Sequence, residues 1–230
     1  MLLLALETAT DAASVALLRG GELVAARTLR TDRPASEALL PEILALLGEH
    51  GLPPAALDAL AVSIGPGSFT GLRVGVATAK GLAFGAGRRV AAVPTLAALA
   101  AGQGAEIVAA VLDARRGEVY AAAHRTVDPL APPLWGPCVL DPAALSARLE
   151  PGWLVAGTGV PLVTQAVRAR FGTAVELVGP PRAQPDAVAV GRLGGRLLDA
   201  GEGVAAAELA PHYVRRAEAE VRRGGASGGF

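Results

Sequence analysis

Several features that often reveal what a protein does are scarce in this sequence. It contains a single cysteine, Cys138, which excludes internal disulfides and zinc sites built from cysteines alone. No run of eighteen or more uncharged apolar residues is present, so the sequence predicts no transmembrane helix. Residues 1–6 are apolar but lack the basic start and the small-residue cleavage site of a signal peptide. These absences together predict a cytoplasmic protein that does not bind a membrane.

An excess of charge of one sign is also missing, and histidine is scarce. The chain has 21 basic and 21 acidic residues, so it carries no global positive field that would attract nucleic acid. The three histidines, His50, His124 and His212, are far apart, and no two have the spacing of a helical metal site. Ser68 lies outside any Gly-x-Ser-x-Gly motif. Neither a helical metal pair nor a serine hydrolase is therefore supported.

Apolar residues, by contrast, make up 52% of the chain and recur in runs of strand or helix length. The Gly20-Gly21 pair predicts a hairpin turn between the second and third strands. The order strand, strand, strand, helix, strand, helix, strand is typical of a ribonuclease H-like lobe. The predicted strands cover residues 2–6, 13–18, 22–29, 57–64 and 90–93, and the predicted helices cover residues 36–50, 72–86 and 94–101.

The pattern starts again after residue 106. Two apolar runs, residues 107–112 and 118–124, flank a polar turn and repeat the first hairpin. Actin, Hsp70 and sugar kinases are built from two such lobes, so we predict an α/β protein with a two-lobed actin-like ATPase fold. The predicted lobes are residues 1–104 and residues 105–230, the second reduced by proline-rich interruptions. Its remaining regular parts are helices at residues 142–149, 160–171 and 186–200, and it ends in a Gly-rich tail with arginines at 215, 216, 222 and 223.

A polar turn after the first strand is one candidate for chemistry. In actin-like ATPases this turn presents hydroxyls and backbone N–H groups to nucleotide phosphates, and Glu7 could hold Mg²⁺ through water. Two departures count against nucleotide binding. Actin-like ATPases have a glycine in this turn where Ala9 or Asp11 stands here, and their acidic residue is Asp rather than the longer Glu. A hairpin whose polar residues are satisfied internally is the alternative. The nucleotide-binding candidates are Glu7, Thr8, Thr10, Gly65, Gly67 and Ser68.

A glycine-rich loop at residues 65–71, between a buried strand and a helix, supplies the last three of these candidates. Such a loop can aim free N–H groups at an anion near the helix N-terminus. The loop is not a Walker A motif, because no Lys-Ser or Lys-Thr follows the glycines, and its glycine spacing differs from that of dinucleotide-binding loops. Glycines in this setting are weak evidence for phosphate binding.

The helix after the loop carries small residues four positions apart, at Gly71, Gly75, Ala79 and Ala83. Such a stripe lets another helix approach closely, and each helical glycine costs about 1 kcal/mol relative to alanine, which a packing gain should offset. The stripe predicts an interface with a partner helix, and packing on the chain's own sheet is the alternative. The predicted interface residues are Gly71, Val74, Gly75, Thr78, Ala79, Leu82 and Ala83.

Five segments in the right order resemble the TsaB (YeaZ) family and span most of the chain: residues 4–10, 36–41, 64–75, 113–120 and 211–215. The match over residues 64–75, which read Ile-Gly-Pro-Gly-Ser-Phe-Thr-Gly-Leu-Arg-x-Gly, is almost letter for letter. One departure is Ala35, where many relatives have a histidine.

The resemblance implies a non-catalytic subunit of the machinery that forms threonylcarbamoyl-adenosine beside the tRNA anticodon. TsaB proteins are degenerate paralogues of the transferase TsaD and lack its metal-binding histidines, which implies no catalytic residue and no metal ligand here. They pair with TsaD through the helix after the glycine loop and with it recruit the ATPase TsaE. The resemblance further implies a homodimer when the chain is alone, indirect contact with tRNA, and no cofactor of its own, with ATP and Mg²⁺ as candidates at the complex interface.

Two other functions are alternatives. An ATP-dependent phosphotransferase of the sugar-kinase class needs an aspartate base and a second phosphate turn. Residues 157–159 (Gly-Thr-Gly) offer the one reasonable turn, and no base is identifiable. A peptidase is disfavoured because the sequence lacks a metal-binding histidine pair.

Overall fold

The computed structural model describes residues 1–29 and 33–215, and these form two five-stranded sheets. The first sheet has the strand order β3-β2-β1-β4-β5. Its first three strands are antiparallel neighbours, whereas β1, β4 and β5 run parallel. This is the predicted ribonuclease H-like lobe. Its strands are β1 (Leu2–Glu7), β2 (Ser14–Arg19), β3 (Glu22–Thr28), β4 (Ala59–Gly65) and β5 (Val90–Pro94).

The second sheet repeats this topology, with the order β8-β7-β6-β9-β10 when read in the same direction. The repeat confirms the α/β, two-lobed, actin-like fold. Only the hairpin of β6 and β7 was predicted, because β9 and β10 have three residues each and β8 contains Pro137. The strands are β6 (Ile107–Asp113), β7 (Val119–Arg125), β8 (Trp135–Leu140), β9 (Leu154–Ala156) and β10 (Glu176–Val178).

Six helices cover the sheets in the described part of the chain. They are α1 (Ala35–Glu49), α2 (Phe69–Phe84), α3 (Thr95–Ala101), α4 (Pro142–Ala147), α5 (Val160–Phe171) and α6 (Ala187–Asp199). None is long and apolar enough to cross a membrane.

Alternation along β1 separates two apolar cores in the first lobe. Leu4 and Leu6 pack with α1 and α2 on one face of the sheet, and Leu3 and Ala5 pack with α6 and α3 on the other. Both faces of β1 are covered, which explains why it reads as a continuous apolar run. Sequence pattern and packing therefore agree over the whole strand.

Helix α3 belongs to both lobes. Ala97 and Ala98 pack on the first sheet, whereas Leu96 and Leu99 pack on the second. A short helix made almost entirely of alanine and leucine lets both sheets approach it closely. The two lobes therefore share one buried element instead of meeting through a flexible linker.

The predicted boundary after residue 104 divides the two sheets, and C-terminal segments of the chain pack back on the first sheet. Helix α6 packs on the first sheet, and Val204 then forms a β-bridge with Val90. The His212 amide donates to the Ile64 carbonyl oxygen at 2.7 Å. Residues 187–212 thus return to the first lobe. Of the arginines in the Gly-rich tail, those at 216, 222 and 223 are outside the described residues.

Candidate functional site

Glu7, at the end of β1, is completely buried. Its Oε1 atom accepts a hydrogen bond from the Ala9 amide, and its Oε2 atom has no hydrogen-bond partner among the described residues. Desolvation raises the pKa of Glu7 to about 7, although the hydrogen bond from the Ala9 amide favours the charged form. A carboxyl group in this environment is partly protonated near neutral pH and does not reach a hydrated metal at the surface.

The glycines of the loop and of α2 pack directly against the turn after β1. A Cβ atom on Gly67 would overlap the Ala9 carbonyl oxygen, and one on Gly71 would overlap the Thr8 carbonyl oxygen. At Gly75 it would overlap the Thr8 hydroxyl. A contact within the chain thus accounts for these glycines, because α2 and the loop before it lie so close to the turn that no side chain fits between them.

A cleft of 640 Å³ lies between the lobes, where the two hairpin turns face each other. Arg115, on the second turn, pairs with Asp11 of the first turn at 4.0 Å and with Asp113 at 3.7 Å. All three side chains are substantially exposed, so the pairs contribute little stability. The cleft therefore carries two carboxylates and one guanidinium at its mouth.

The six predicted nucleotide-binding residues divide into two groups. Thr10, Gly67 and Ser68 line the cleft, whereas Glu7, Thr8 and Gly65 do not. The Ser68 hydroxyl caps α2 by accepting from the Gly71 amide, and the Ser68 amide donates to Ala9. Ser68 is thus engaged within the chain and Glu7 is buried beneath the turn, whereas the Thr8 and Thr10 hydroxyls make no hydrogen bond among the described residues. The cleft has room for a nucleotide, but these residues do not fit a phosphate-bound Mg²⁺.

The stripe of small residues on α2 faces inward over most of its length. Gly75, Ala79 and Ala83 are buried within their own lobe and present no surface to a partner. The other predicted interface residues, Gly71, Val74, Thr78 and Leu82, are half-buried along the edges of this inner stripe.

The outer side of α2 is also largely apolar on the C-terminal side of Arg73. Ala77 and Gly81 are exposed, and the Phe84 side chain is 78% exposed. A Cβ atom on Gly81 would meet nothing within 4 Å, so no contact among residues 1–29 and 33–215 explains this helical glycine. The exposed side of α2 is therefore a second strip of small residues that ends in a large aromatic ring.

Helix α1 packs beside α2 and extends this apolar surface. Leu40 and Leu44 are each 46% exposed, and Pro41 and Ala45 next to them are exposed. Leu40 and Leu44 each follow directly after a buried residue, Leu39 and Ile43, and are therefore turned towards the outside of the helix. The outer helical face, as we name it, consists of Leu40, Pro41, Leu44 and Ala45 of α1 with Val74, Ala77, Thr78, Gly81 and Phe84 of α2.

The segment at residues 211–215 ties α2 to the second lobe. The Tyr213 ring packs on Phe69 with centroids 5.0 Å apart, and Arg73 Nε donates to the Tyr213 hydroxyl at 3.1 Å. Arg215 then donates to the Ala114 carbonyl oxygen at 3.0 Å and pairs with Glu118. The residues that carry the C-terminal family resemblance therefore connect both lobes across the edge of the cleft.

Comparison with known proteins finds relatives that are named for tRNA modification. Residues 29–176 match the family model of TsaD, described as tRNA N6-adenosine threonylcarbamoyltransferase. A protein of Haemophilus influenzae named tRNA threonylcarbamoyladenosine biosynthesis protein TsaB is 47% identical over 122 residues, and this alignment spans 51% of each chain. The Escherichia coli protein of the same name is 37% identical over 170 residues, which cover 69% of this chain and 72% of the relative.

Solved structures agree with these sequence matches. A crystal structure from Pseudomonas aeruginosa, described as an uncharacterized protein with similarity to peptidase YeaZ, superposes with a TM-score of 0.80 at 35% identity. The superposition covers 93% of this chain and 99% of the other. The shared fold, the sequence identity to two TsaB proteins and the match to the related TsaD model are consistent with one another. This chain belongs to the TsaB (YeaZ) family.

Proposed function

We propose that this chain is a non-catalytic subunit in tRNA threonylcarbamoyladenosine biosynthesis, which binds the transferase TsaD through its outer helical face. Its TsaB relatives are named for this pathway, and the match to the TsaD family model shows that the two subunits are related. If each of the two related proteins presents a corresponding pair of helices, the two pairs can pack against each other as a pseudo-symmetric four-helix layer. The same apolar face would pair two copies of this chain when TsaD is missing.

The observation that carries the proposal is the apolar character of the outer helical face. Exposed leucines, small residues and an exposed phenylalanine adjoin on two neighbouring helices, and an apolar patch of this kind marks a protein interface. Ala77 and Gly81 allow a partner helix to approach closely, while Phe84 and Leu44 provide large side chains to bury. Small residues at the centre with large residues beside them suit helix-on-helix packing.

In this proposal, ATP acts in the complex and not in this chain alone. Glu7 is buried and the Ser68 hydroxyl caps α2, so neither side chain is free to hold a phosphate-bound Mg²⁺. We propose that the chain requires no cofactor of its own, and that ATP and Mg²⁺ act at the complex interface. TsaE would then join through TsaD, and tRNA would be contacted indirectly, in the cytoplasm.

A matched pair of variants tests the outer helical face. Ala77→Glu places a carboxylate at its centre, and Ala169→Glu makes the same change at an exposed position of α5 in the second lobe. We expect Ala77→Glu to weaken binding to purified TsaD at least about 100-fold, because the carboxylate would be buried without a partner. Ala169→Glu should bind like the wild type. Equal affinity of both variants for TsaD would contradict the proposal, provided that both melt at the wild-type temperature.

A further inference from the structure

We infer that Arg73 is a preorganised carboxylate-binding residue of the partner interface, where its guanidinium receives an aspartate or glutamate side chain of TsaD. This inference rests on the proposed function, because it concerns the same surface of α2. Arg73 lies four residues before Ala77, so its side chain stands in line with the small residues at positions 77 and 81. A partner helix that packs along this row and continues towards the N-terminus of α2 therefore meets Arg73.

Two contacts hold the guanidinium of Arg73 in place. Its Cζ atom lies 3.7 Å from the centroid of the Phe69 ring, and its Nε atom donates to the Tyr213 hydroxyl at 3.1 Å. The Phe69 and Tyr213 rings pack against each other with centroids 5.0 Å apart, so both contacts belong to one cluster. An arginine that is held in this way loses less side-chain entropy when a partner binds it.

The two Nη atoms of Arg73 have no hydrogen-bond or ion-pair partner in the part of the chain that the structure describes, and the side chain is exposed. Other arginines bind oxygens of the chain itself: Arg88 donates to three backbone carbonyls, and Arg27 pairs with two glutamates. With its Nε atom already engaged, Arg73 presents its remaining N–H groups as a planar fork. Such a fork fits the two oxygens of a carboxylate.

The surroundings of Arg73 favour a protein carboxylate over an RNA phosphate. The outer helical face begins at Val74, the next residue, and is largely apolar, whereas surfaces that bind a phosphate backbone gather several basic residues. The chain has 21 basic and 21 acidic residues, so it offers no overall positive field to RNA. An apolar surface with an arginine at its edge has the composition of a protein interface.

The test measures the affinity of purified TsaD for variants of the full chain by isothermal titration calorimetry. We expect Arg73→Met to weaken binding about tenfold or more, because a charge-assisted hydrogen-bonded pair is lost. Arg73→Lys should remain at least about threefold weaker than the wild type, because an ammonium lacks the planar fork. Tyr213→Phe, which removes the anchor of Nε and keeps the ring, should weaken binding about threefold.

Arg170→Met is the matched control, because Arg170 is an exposed arginine that lies over the Phe171 ring in the second lobe. It should bind TsaD like the wild type. A second measurement needs no variant: the affinity of the wild type for TsaD should fall between about 50 mM and about 500 mM NaCl, as it does for an ion pair at the edge of an interface. An affinity that salt leaves unchanged would overturn the proposal.

Ala77→Glu separates failure of this inference from failure of the proposed function. If Ala77→Glu abolishes binding and Arg73→Met binds TsaD like the wild type, the role of Arg73 is overturned while the outer helical face stands. If both variants bind like the wild type, the proposed function fails as well. If Arg73→Met binds TsaD normally and weakens only the binding of tRNA to the complex, the ligand of Arg73 is a phosphate and the proposal is wrong.

Discussion

Glu7 is the residue at which sequence and structure differ most. From its position after the first strand it was predicted to contact a nucleotide or a hydrated metal, but it is buried with one oxygen unpaired. Sequence spacing places a carboxyl group at the end of a strand and does not reveal what covers it. The covering layer here is Ala9 with Gly67 and Gly71, which lie too close to the turn to accept a side chain.

The raised pKa of Glu7 predicts a pH-dependent stability. The folded value is about 7 and the reference value is 4.5, so the unfolded chain loses this proton at lower pH than the folded chain. The stability that the protonated group contributes is complete below pH 4.5 and is lost as pH rises to about 7. Between about pH 5.5 and about pH 8 the wild type should lose about 2 kcal/mol more than Glu7→Gln. Urea unfolding at both pH values measures this, and parallel pH profiles of the two proteins would show that the group is not desolvated.

At the scale of elements, α2 shows what periodicity can and cannot predict. The spacing of Gly71, Gly75, Ala79 and Ala83 placed them on one side of the helix, and the structure does so. Periodicity alone did not say that this side faces the chain's own turn, because a stripe of small residues suits a partner helix and an internal contact equally. The apolar outer side of α2 was not predicted, because single residues such as Ala77 and Gly81 carry little information in a sequence rich in alanine and glycine.

Two glycines of α2 provide a matched test of which side is internal. Gly75→Ala should destabilise the fold, by about 2 kcal/mol or more, because its Cβ atom would overlap the buried Thr8 hydroxyl. Gly81→Ala should stabilise the free chain by about 0.5 to 1 kcal/mol, because a Cβ atom there meets nothing and alanine favours the helix. Chemical denaturation of both variants measures the difference. Equal effects of the two substitutions would mean that α2 does not lie against the turn as described.

At the scale of the whole molecule, the sequence analysis predicted the repeated lobe but not its full extent. The hairpin of β6 and β7 has the length and pattern of the first hairpin, so the duplication was visible. The three strands that complete the second sheet are short or contain proline, which leaves no usable periodicity. The return of α6 to the first sheet is a long-range contact that no local pattern encodes, so the sequence analysis did not predict it.

The contact between the C-terminal segment and the second lobe should depend on Arg215, which bonds to the hairpin of β6 and β7. Arg215→Met would remove its hydrogen bond to Ala114 and its ion pair with Glu118 while retaining most of the side-chain length. Because the ion pair is about one-third exposed, we expect a loss of about 1 kcal/mol in unfolding free energy. A double-mutant cycle with Glu118→Gln isolates the pair. Additive effects of the two substitutions would indicate that the pair does not couple the lobes.

The most direct test of the proposed function is size-exclusion chromatography with light scattering, on this chain alone and mixed with TsaD from the same organism. The proposal predicts a homodimer for the chain alone and a one-to-one complex with TsaD that forms at the expense of that homodimer. The Ala77→Glu variant should form neither species, because both use the outer helical face. The contradictory result would be no complex with TsaD, together with ATP hydrolysis by the isolated chain, which would instead indicate an independent phosphotransferase of the actin-like class.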